Sequence, residues 1–430
     1  MDHKKAAALI AAMMMASVTA CSSGSSSTGD TPTDTPAPET TQAVTEASET
    51  SASETQTEPV TEAETSAPET TAEPETETTA ETEDAPAADK APAYDITLAD
   101  ESELMADDGN TKLFESKLQQ VSISAGSGYD KLAEAVDGHN KVRRDAYDYT
   151  CTNMKEDVQT HYADPLDSFS GEWSMMYYVS DEDRVYRCDS SVFSYMSSEE
   201  GYSGGAHGWN TSVGMNFDAQ TGAELTAADI CTDLPRLVDI LADKLEKEYG
   251  EAVDPSWIEK DSYKSLLTYR YGEDLMGYDD TWDDGSVYHM SAMDFVFVPD
   301  GVMFFTDQYD IAPYAAGTQS LTVLFSEEEG LFNEKYISSG ADFEIKSEGL
   351  YLDMRVDIDG DGKGERFSVK ETFDDDWNIT GYVVKIGDTE HTIDDVGPDE
   401  RPVSELIRKD GKYTYRMYSR DGDLLRELEL

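Results

Sequence analysis

The sequence predicts an α+β fold: a mainly antiparallel sheet with packed helices, followed by a small all-β C-terminal domain. Three observations lead there. Apolar residues alternate with a period of two in Trp173, Met175, Tyr177 and Val179, and again in Trp209, Thr211, Val213, Met215 and Phe217, the pattern of a half-buried strand. Helical stretches fall between such runs without the regular alternation of βαβ units. Past about Ser339 the chain becomes short strands separated by Asp-Gly turns.

Met1 to Cys21 reads as an export signal. Lys4 and Lys5 precede an apolar run from Ala6 to Val18, long enough for a signal core and too short to span a bilayer stably. It ends in Val18-Thr19-Ala20-Cys21, which resembles a bacterial lipobox and implies cleavage before Cys21 with the lipid carried there. The alternative is an ordinary cleaved signal with a chance cysteine. Residues 22–93 are Ser, Thr, Glu, Pro and Ala, a composition that cannot bury enough apolar surface to fold. Charge repulsion and proline extend it, to a reach of roughly 220 Å at about 3.1 Å per residue. It reads as a stalk, or as a spacer of no required length. Cys151, Cys188 and Cys231 are an odd number without a CxxC; they give no disulfide framework or zinc site, and read as buried free thiols with a single bridge as the alternative.

Residues 94–202 read as a small N-terminal α+β domain. Tyr129 to Tyr162 is its helix, with Leu132, Ala135, Val142, Ala146 and Tyr149 on the apolar face and Gly138 weakening it midway. Residues 203–338 form a second α+β domain. Asp233 caps a helix with Pro235 in its first turn, Leu234, Leu237, Val238, Leu241 and Leu245 as its stripe, and Gly250 after its end. Asp254-Pro255 begins a second helix carrying Trp257, Ile258, Leu266 and Leu267. Phe295 to Val298 and Val302 to Phe305 spell a hairpin about a three-residue turn, Pro299-Asp300-Gly301, and Leu321 to Phe325 gives another strand.

Three blocks carry a resemblance: Gly204-Gly205-Ala206-His207; Asn216-Phe217-Asp218 with Thr221-Gly222; and Tyr309-Asp310-Ile311-Ala312-Pro313-Tyr314-Ala315-Ala316-Gly317. Together they resemble an extracellular domain family of uncharacterised function. It forms the outer end of the lysozyme-sensing anti-sigma-V factor and precedes the catalytic domain of some peptidoglycan deacetylases. The segment from about Ser122 to Tyr202 is similar to the smaller domain that normally precedes it. The chain shows neither the transmembrane and anti-sigma segments nor a deacetylase domain, so the resemblance implies the outer binding module alone. Gly204, Gly205, His207, Tyr309, Tyr314 and Gly317 are the candidate motif residues, for binding or for structure.

Residues 339–430 read as a β domain, with strands at Leu352 to Val356, Arg366 to Val369, Tyr382 to Ile386, Tyr413 to Met417 and Leu424 to Leu428. Its first loop places Asp357, Asp359, Asp361, Lys363 and Glu365 at positions one, three, five, seven and nine. Carboxylates at that spacing wrap a hard cation, Lys363 offering only its carbonyl, which makes calcium (Ca2+) the expected cofactor. Ser368 stands at position twelve where an EF-hand has its bidentate Glu, so the expected affinity is in the extracellular range, roughly 0.1–1 mM. The alternative is an acidic turn kept soluble by its charges.

The 430 residues hold 91 Asp and Glu against 32 Lys and Arg, a net charge of −59. Nucleic acid and anionic membrane surfaces carry the same sign and are excluded as partners. The expected function is non-catalytic: a lipid-anchored protein on the outer face of the bacterial cell membrane, recognising a cell-wall component or a cationic protein such as lysozyme. A peptidoglycan hydrolase or deacetylase working at His207 would need a nucleophile or metal set that the sequence does not display at motif spacing. A scaffold for another envelope protein is the third alternative.

Overall fold

The computed structural model describes residues 91–163, 176–250, 262–281, 286–337, 343–348, 353–374, 378–394, 402–419 and 422–430. The lipobox with Cys21, the stalk up to residue 90, Trp173, Met175 and the Asp254-Pro255 helix start with Trp257 and Ile258 lie outside the described residues. Among the described residues no helix is long and apolar enough to cross a membrane.

The first sheet has five strands: β1 (Tyr94–Met105), β2 (Lys112–Ile123), β3 (Tyr177–Cys188), β4 (Val192–Tyr202) and β5 (Trp209–Asp218), in that spatial order. All pairs are antiparallel except β2 with β3. A parallel pair needs a long crossover, which helix α1 (Asp130–Ala163) supplies. The helix runs unbroken through Gly138, against the expected midway weakening, because packing on the sheet outweighs a propensity loss of about 1 kcal/mol. Its buried face also differs from the expected one. Leu132, Val136, Arg143, Tyr147, Met154 and Val158 point inward, while Tyr149 is exposed. Arg143 tolerates burial because its guanidinium binds Asp181 and Asp183 of β3 together. Asp183 also accepts from the Val121 amide (2.7 Å) and the Ser197 hydroxyl (2.5 Å). Cys151, Cys188 and Cys231 are buried free thiols.

Two helices follow, α2 (Leu234–Tyr249) and α3 (Tyr263–Tyr271). Asp233 caps α2 by accepting from the Arg236 amide, and Leu237, Val238, Leu241 and Leu245 are its buried stripe. Ser262 caps α3, whose Leu266 and Leu267 are buried. A short hairpin, β6 (Tyr278–Thr281) with β7 (Val287–Met290), leads to a three-stranded antiparallel sheet: β8 (Asp294–Val298), β9 (Gly301–Thr306) and β10 (Gln319–Leu324), with β9 central. The turn between β8 and β9 has two residues, not three, because Gly301 pairs with Val298 as part of the ladder. Its glycine serves close approach rather than turning: a Cβ there would lie 2.4 Å from the Val323 carbonyl oxygen.

This small sheet is apolar on both faces. Phe295, Phe297 and Phe304 join a core with the α2 and α3 leucines, while Val296, Val298, Met303 and Phe305 join a second core. That second core is completed by two four-stranded antiparallel sheets. One is β11 (Phe343–Glu348), β16 (Val403–Lys409), β17 (Lys412–Tyr418) and β18 (Leu424–Glu429); the other is β12 (Asp353–Val356), β13 (Glu365–Phe373), β14 (Ile379–Ile386) and β15 (Thr389–Ile393). Ile345, Phe367, Tyr382, Leu406 and Tyr415 face inward between them. Asp300, in the β8–β9 turn, accepts from Arg408 (3.1 Å) and from the Tyr413 hydroxyl (2.9 Å). The C-terminal sheets and the β8–β10 sheet thus share one hydrophobic core.

Candidate binding site

The two motif blocks that lie about a hundred residues apart meet at the surface. The His207 and Tyr314 rings stack with centroids 4.0 Å apart and planes 21° apart, and Tyr309 stands 5.7 Å from Tyr314. The Tyr309 hydroxyl is 3.1 Å from His207 Nε2, and His207 Nδ1 is 2.8 Å from the Gly208 carbonyl oxygen. A carbonyl oxygen only accepts, so Nδ1 carries a proton; in the neutral ring Nε2 then accepts from the Tyr309 hydroxyl. Tyr309 is 53% exposed, and His207 is exposed too. The cluster therefore offers ring faces and polar edges to solvent together, an arrangement suited to stacking on a sugar ring.

The supporting elements explain the placement. Gly204 and Gly205 both hold φ of +93° in the β4–β5 connection, and the Gly205 carbonyl accepts from the Tyr202 hydroxyl (2.9 Å). Tyr314 opens a 3₁₀ turn, Tyr314–Ala316, that Gly317 closes at φ +66°. Gln319, fully buried, fixes that turn by donating to the Ala316 carbonyl (3.2 Å) and Gly317 carbonyl (2.5 Å) while accepting from the Thr306 hydroxyl (2.9 Å). Tyr309 is held at φ +68°, a conformation that side chains other than glycine avoid. Asp307 and Asp294 accept from the Ser212 (2.9 Å) and Gly214 (3.0 Å) amides of β5, and Asp310 accepts from Arg270 Nε (3.0 Å); sequence reading singled out none of these or Gln319, and only Asp310, adjacent to Tyr309, lay within a motif block.

The Asn216-Phe217-Asp218 block is structural. Asn216 donates to the Phe295 carbonyl (2.7 Å) and accepts from the Ser194 hydroxyl (2.7 Å), welding β5 to β8 and β4. Asp218 accepts from the Gln220 and Thr221 amides and from Lys335 and Tyr336. Burial would raise its pKa, but the bonds from Lys335 and Thr221 prevail and hold it below the ordinary value. Gly214 permits the same approach of β5 to β8, since a Cβ there would meet the Phe295 carbonyl oxygen at 1.9 Å.

In the acidic loop, Asp357, Asp359 and Asp361 bring one carboxylate oxygen each within 4.8 Å of the others. Backbone amides organise them: Gly362 donates to Asp357 Oδ2 (3.0 Å), Asp361 to Asp359 (3.0 Å) and Lys363 to Asp361 (2.8 Å). Glu365 accepts from the Ile358 amide (2.9 Å). The Lys363 ammonium lies 3.0 Å from Asp361 Oδ2, and that bond holds the Asp361 carboxyl below its ordinary pKa. Asp357 Oδ1 is buried without a hydrogen-bond partner. A buried carboxylate oxygen without a donor is costly, and a hard cation would satisfy it.

Residues 228–326 match the family described as "Protein of unknown function (DUF3298)". The match takes in the Tyr309 to Gly317 block and begins after the Gly204 to His207 block. Two solved structures are similar. One is a member of that family from Bacteroides fragilis NCTC 9343, at 19% identity and TM-score 0.40, covering 57% of this chain and 96% of its own. The other is a family protein from Pseudomonas aeruginosa PAO1, at 11% identity and TM-score 0.36, covering 58% of this chain and 97% of its own. No curated protein matches the chain. The chain thus contains a DUF3298 family domain at residues 228–326.

Proposed function

We propose that the protein is a non-catalytic, lipid-anchored surface protein that binds a cell-wall glycan on the His207, Tyr309 and Tyr314 cluster. The supporting observation is the stack of exposed His207 on half-buried Tyr314, with exposed Tyr309 beside it. Aromatic faces take sugar rings, and both nitrogens of His207 are engaged by a carbonyl and a phenol rather than by a carboxylate or nucleophile. The lipobox-like Val18-Thr19-Ala20-Cys21 and the resemblance to the outer domain of the anti-sigma-V factor support the location. The test is co-sedimentation of residues 91–430 with purified peptidoglycan. Retention that Tyr309→Ala and Tyr314→Ala both weaken supports the reading. Release of muropeptides or acetate that His207→Ala abolishes would replace it with the enzymatic alternative.

A second reading takes a cationic protein such as lysozyme as partner, favoured by the net charge of −59, which speeds and orients encounter with a basic surface. Retention of lysozyme at low ionic strength, lost at high salt, would establish it. Calcium binding at Asp357, Asp359, Asp361 and Glu365, with the Lys363 carbonyl, is proposed alongside. It is supported by the convergence of the three aspartates and the unpartnered buried oxygen of Asp357.

A further inference from the structure

The connection between β4 and β5 is pinned at both ends and open in the middle. The chain leaves the ladder after Gly201, which pairs with Trp209. Gly204 lies against a ring: a Cβ there would stand 3.0 Å from the Tyr177 hydroxyl. Gly208 lies against backbone, since a Cβ there would meet the Gly201 carbonyl oxygen at 2.3 Å. The Cβ position of Gly205, between them, has nothing within 4 Å, and Gly205, Ala206 and His207 are all exposed. Two anchored glycines thus flank a short tip that ends in His207.

His207 makes with the two tyrosines the contacts that a bound sugar would make. Its flat ring covers one face of half-buried Tyr314 at 4.0 Å, and its Nε2 meets the Tyr309 hydroxyl at 3.1 Å. Rings at that separation are in van der Waals contact, so the covered face has no room for a sugar. A sugar hydroxyl can replace Nε2 as partner of the Tyr309 phenol, because hydroxyls both donate and accept. Gly204 and Gly205, each at φ +93°, give the tip a pivot in a region of backbone space that other residues avoid.

We propose that His207 is a built-in shield: without ligand it occupies the Tyr314 face, and glycan binding swings the 205–207 tip outward on Gly204 and Gly205. This rests on the reading of the cluster as a glycan platform and divides its labour. Tyr309 and Tyr314 receive the sugar, and His207 competes with it. Opening breaks one ring stack and the bond to the Tyr309 hydroxyl, contacts that together favour the closed form by roughly tenfold. The Tyr202 hydroxyl on the Gly205 carbonyl (2.9 Å) is a further latch. Apparent affinity falls with the fraction of molecules that are open, so the seated imidazole weakens glycan binding by about that same factor.

The experiment has one arm with ligand and one without, both on residues 91–430. In the first, calorimetry with a soluble N-acetylglucosamine tetrasaccharide compares the wild type with His207→Ala, Gly205→Ala and Tyr314→Ala. His207→Ala uncovers the Tyr314 face, while alanine at φ +93° strains the seated tip and leaves the imidazole in place. Both should bind about tenfold more tightly than the wild type, and Tyr314→Ala should bind more weakly. Equal or weaker binding by His207→Ala overturns the shield, even where Tyr314→Ala upholds the platform. In the second arm, NMR relaxation dispersion follows the His207 ring without ligand. A released state of about a tenth in the wild type, enlarged in Gly205→Ala, supports the shield; a ring with no second state overturns it. If the tetrasaccharide binds none of the proteins, the glycan reading fails by itself and the second arm still decides the shield.

Discussion

Glu199 tests the acid–base account of the interior most sharply. It lies directly across the β3–β4 ladder from Asp181, is buried, and has one oxygen bonded to Trp209 Nε1 (3.0 Å) while the other has no partner. Burial, with the neighbouring Asp181, pushes its pKa from 4.5 up to about 7. The native state therefore binds a proton that the unfolded chain has already released. Stability contributed by that proton is present at acid pH and is lost as pH rises from about 4.5 to about 7. A difference of that size corresponds to about 3 kcal/mol. Glu199→Gln removes the titration and keeps an oxygen for Trp209. In urea unfolding of residues 91–430 at several pH values, the variant should lack that part of the slope. It should exceed the wild type in stability at pH 8 by up to about 3 kcal/mol. Parallel curves for the two proteins would refute the reasoning, showing that Glu199 ionises in the native state without penalty. Asp181, pushed up to about 6 by burial despite Arg143, adds a slope of the same sign, and its coupling to Glu199 forms part of the difference between the two proteins.

Other perturbations follow from the same geometry. Millimolar calcium should stabilise residues 91–430 by about 1.4 kcal/mol at ten times the dissociation constant, read as a higher melting temperature than in chelator. Magnesium should do less, and Asp359→Ala with Asp361→Ala should erase the effect; equal melting points in calcium and chelator would leave the loop an acidic turn. Asp300→Ala strands Arg408 and Tyr413 at the edge of the shared core and should cost about 3 kcal/mol by urea midpoint. Gly214→Ala drives a methyl into the Phe295 carbonyl and should destabilise by more than about 2 kcal/mol. Gly138→Ala, whose methyl would meet nothing within 4 Å, should stabilise by about 0.5–1 kcal/mol in the same assay.

Local chemistry was legible wherever it acted over a few residues. The Asp233 cap, the α2 stripe, the Phe295 to Phe305 hairpin and the Asp410-Gly411 turn occupy the positions their sequence indicates. The α1 face was misplaced because Arg143 interrupts its apolar period, and its partners Asp181 and Asp183 lie on a strand about forty residues away. The extra residue assigned to the hairpin turn has a similar cause: a glycine required by the neighbouring β10 backbone looks, in sequence, like one required by the turn. At the aromatic cluster, His207, Tyr309 and Tyr314 were marked by resemblance, but their meeting depends on how β5 docks against β8. The carboxylates that arrange this docking, Asp294 and Asp307, are indistinguishable by composition from the other acids of so acidic a chain.

The double-faced β8–β10 sheet bears on how such a protein could have been assembled. Genetic exchange that moved residues 228–326 alone would carry one of the sheet's two cores and strip the other. Val296, Val298, Met303 and Phe305 would then form an apolar sheet face in water, a surface prone to self-association. A transferable cassette must bring a cover for that face, whether these C-terminal strands or a substitute of similar shape. Recombination breakpoints that left a soluble product should therefore fall outside the strands of the second core, with the cover inherited together with the hairpin it protects.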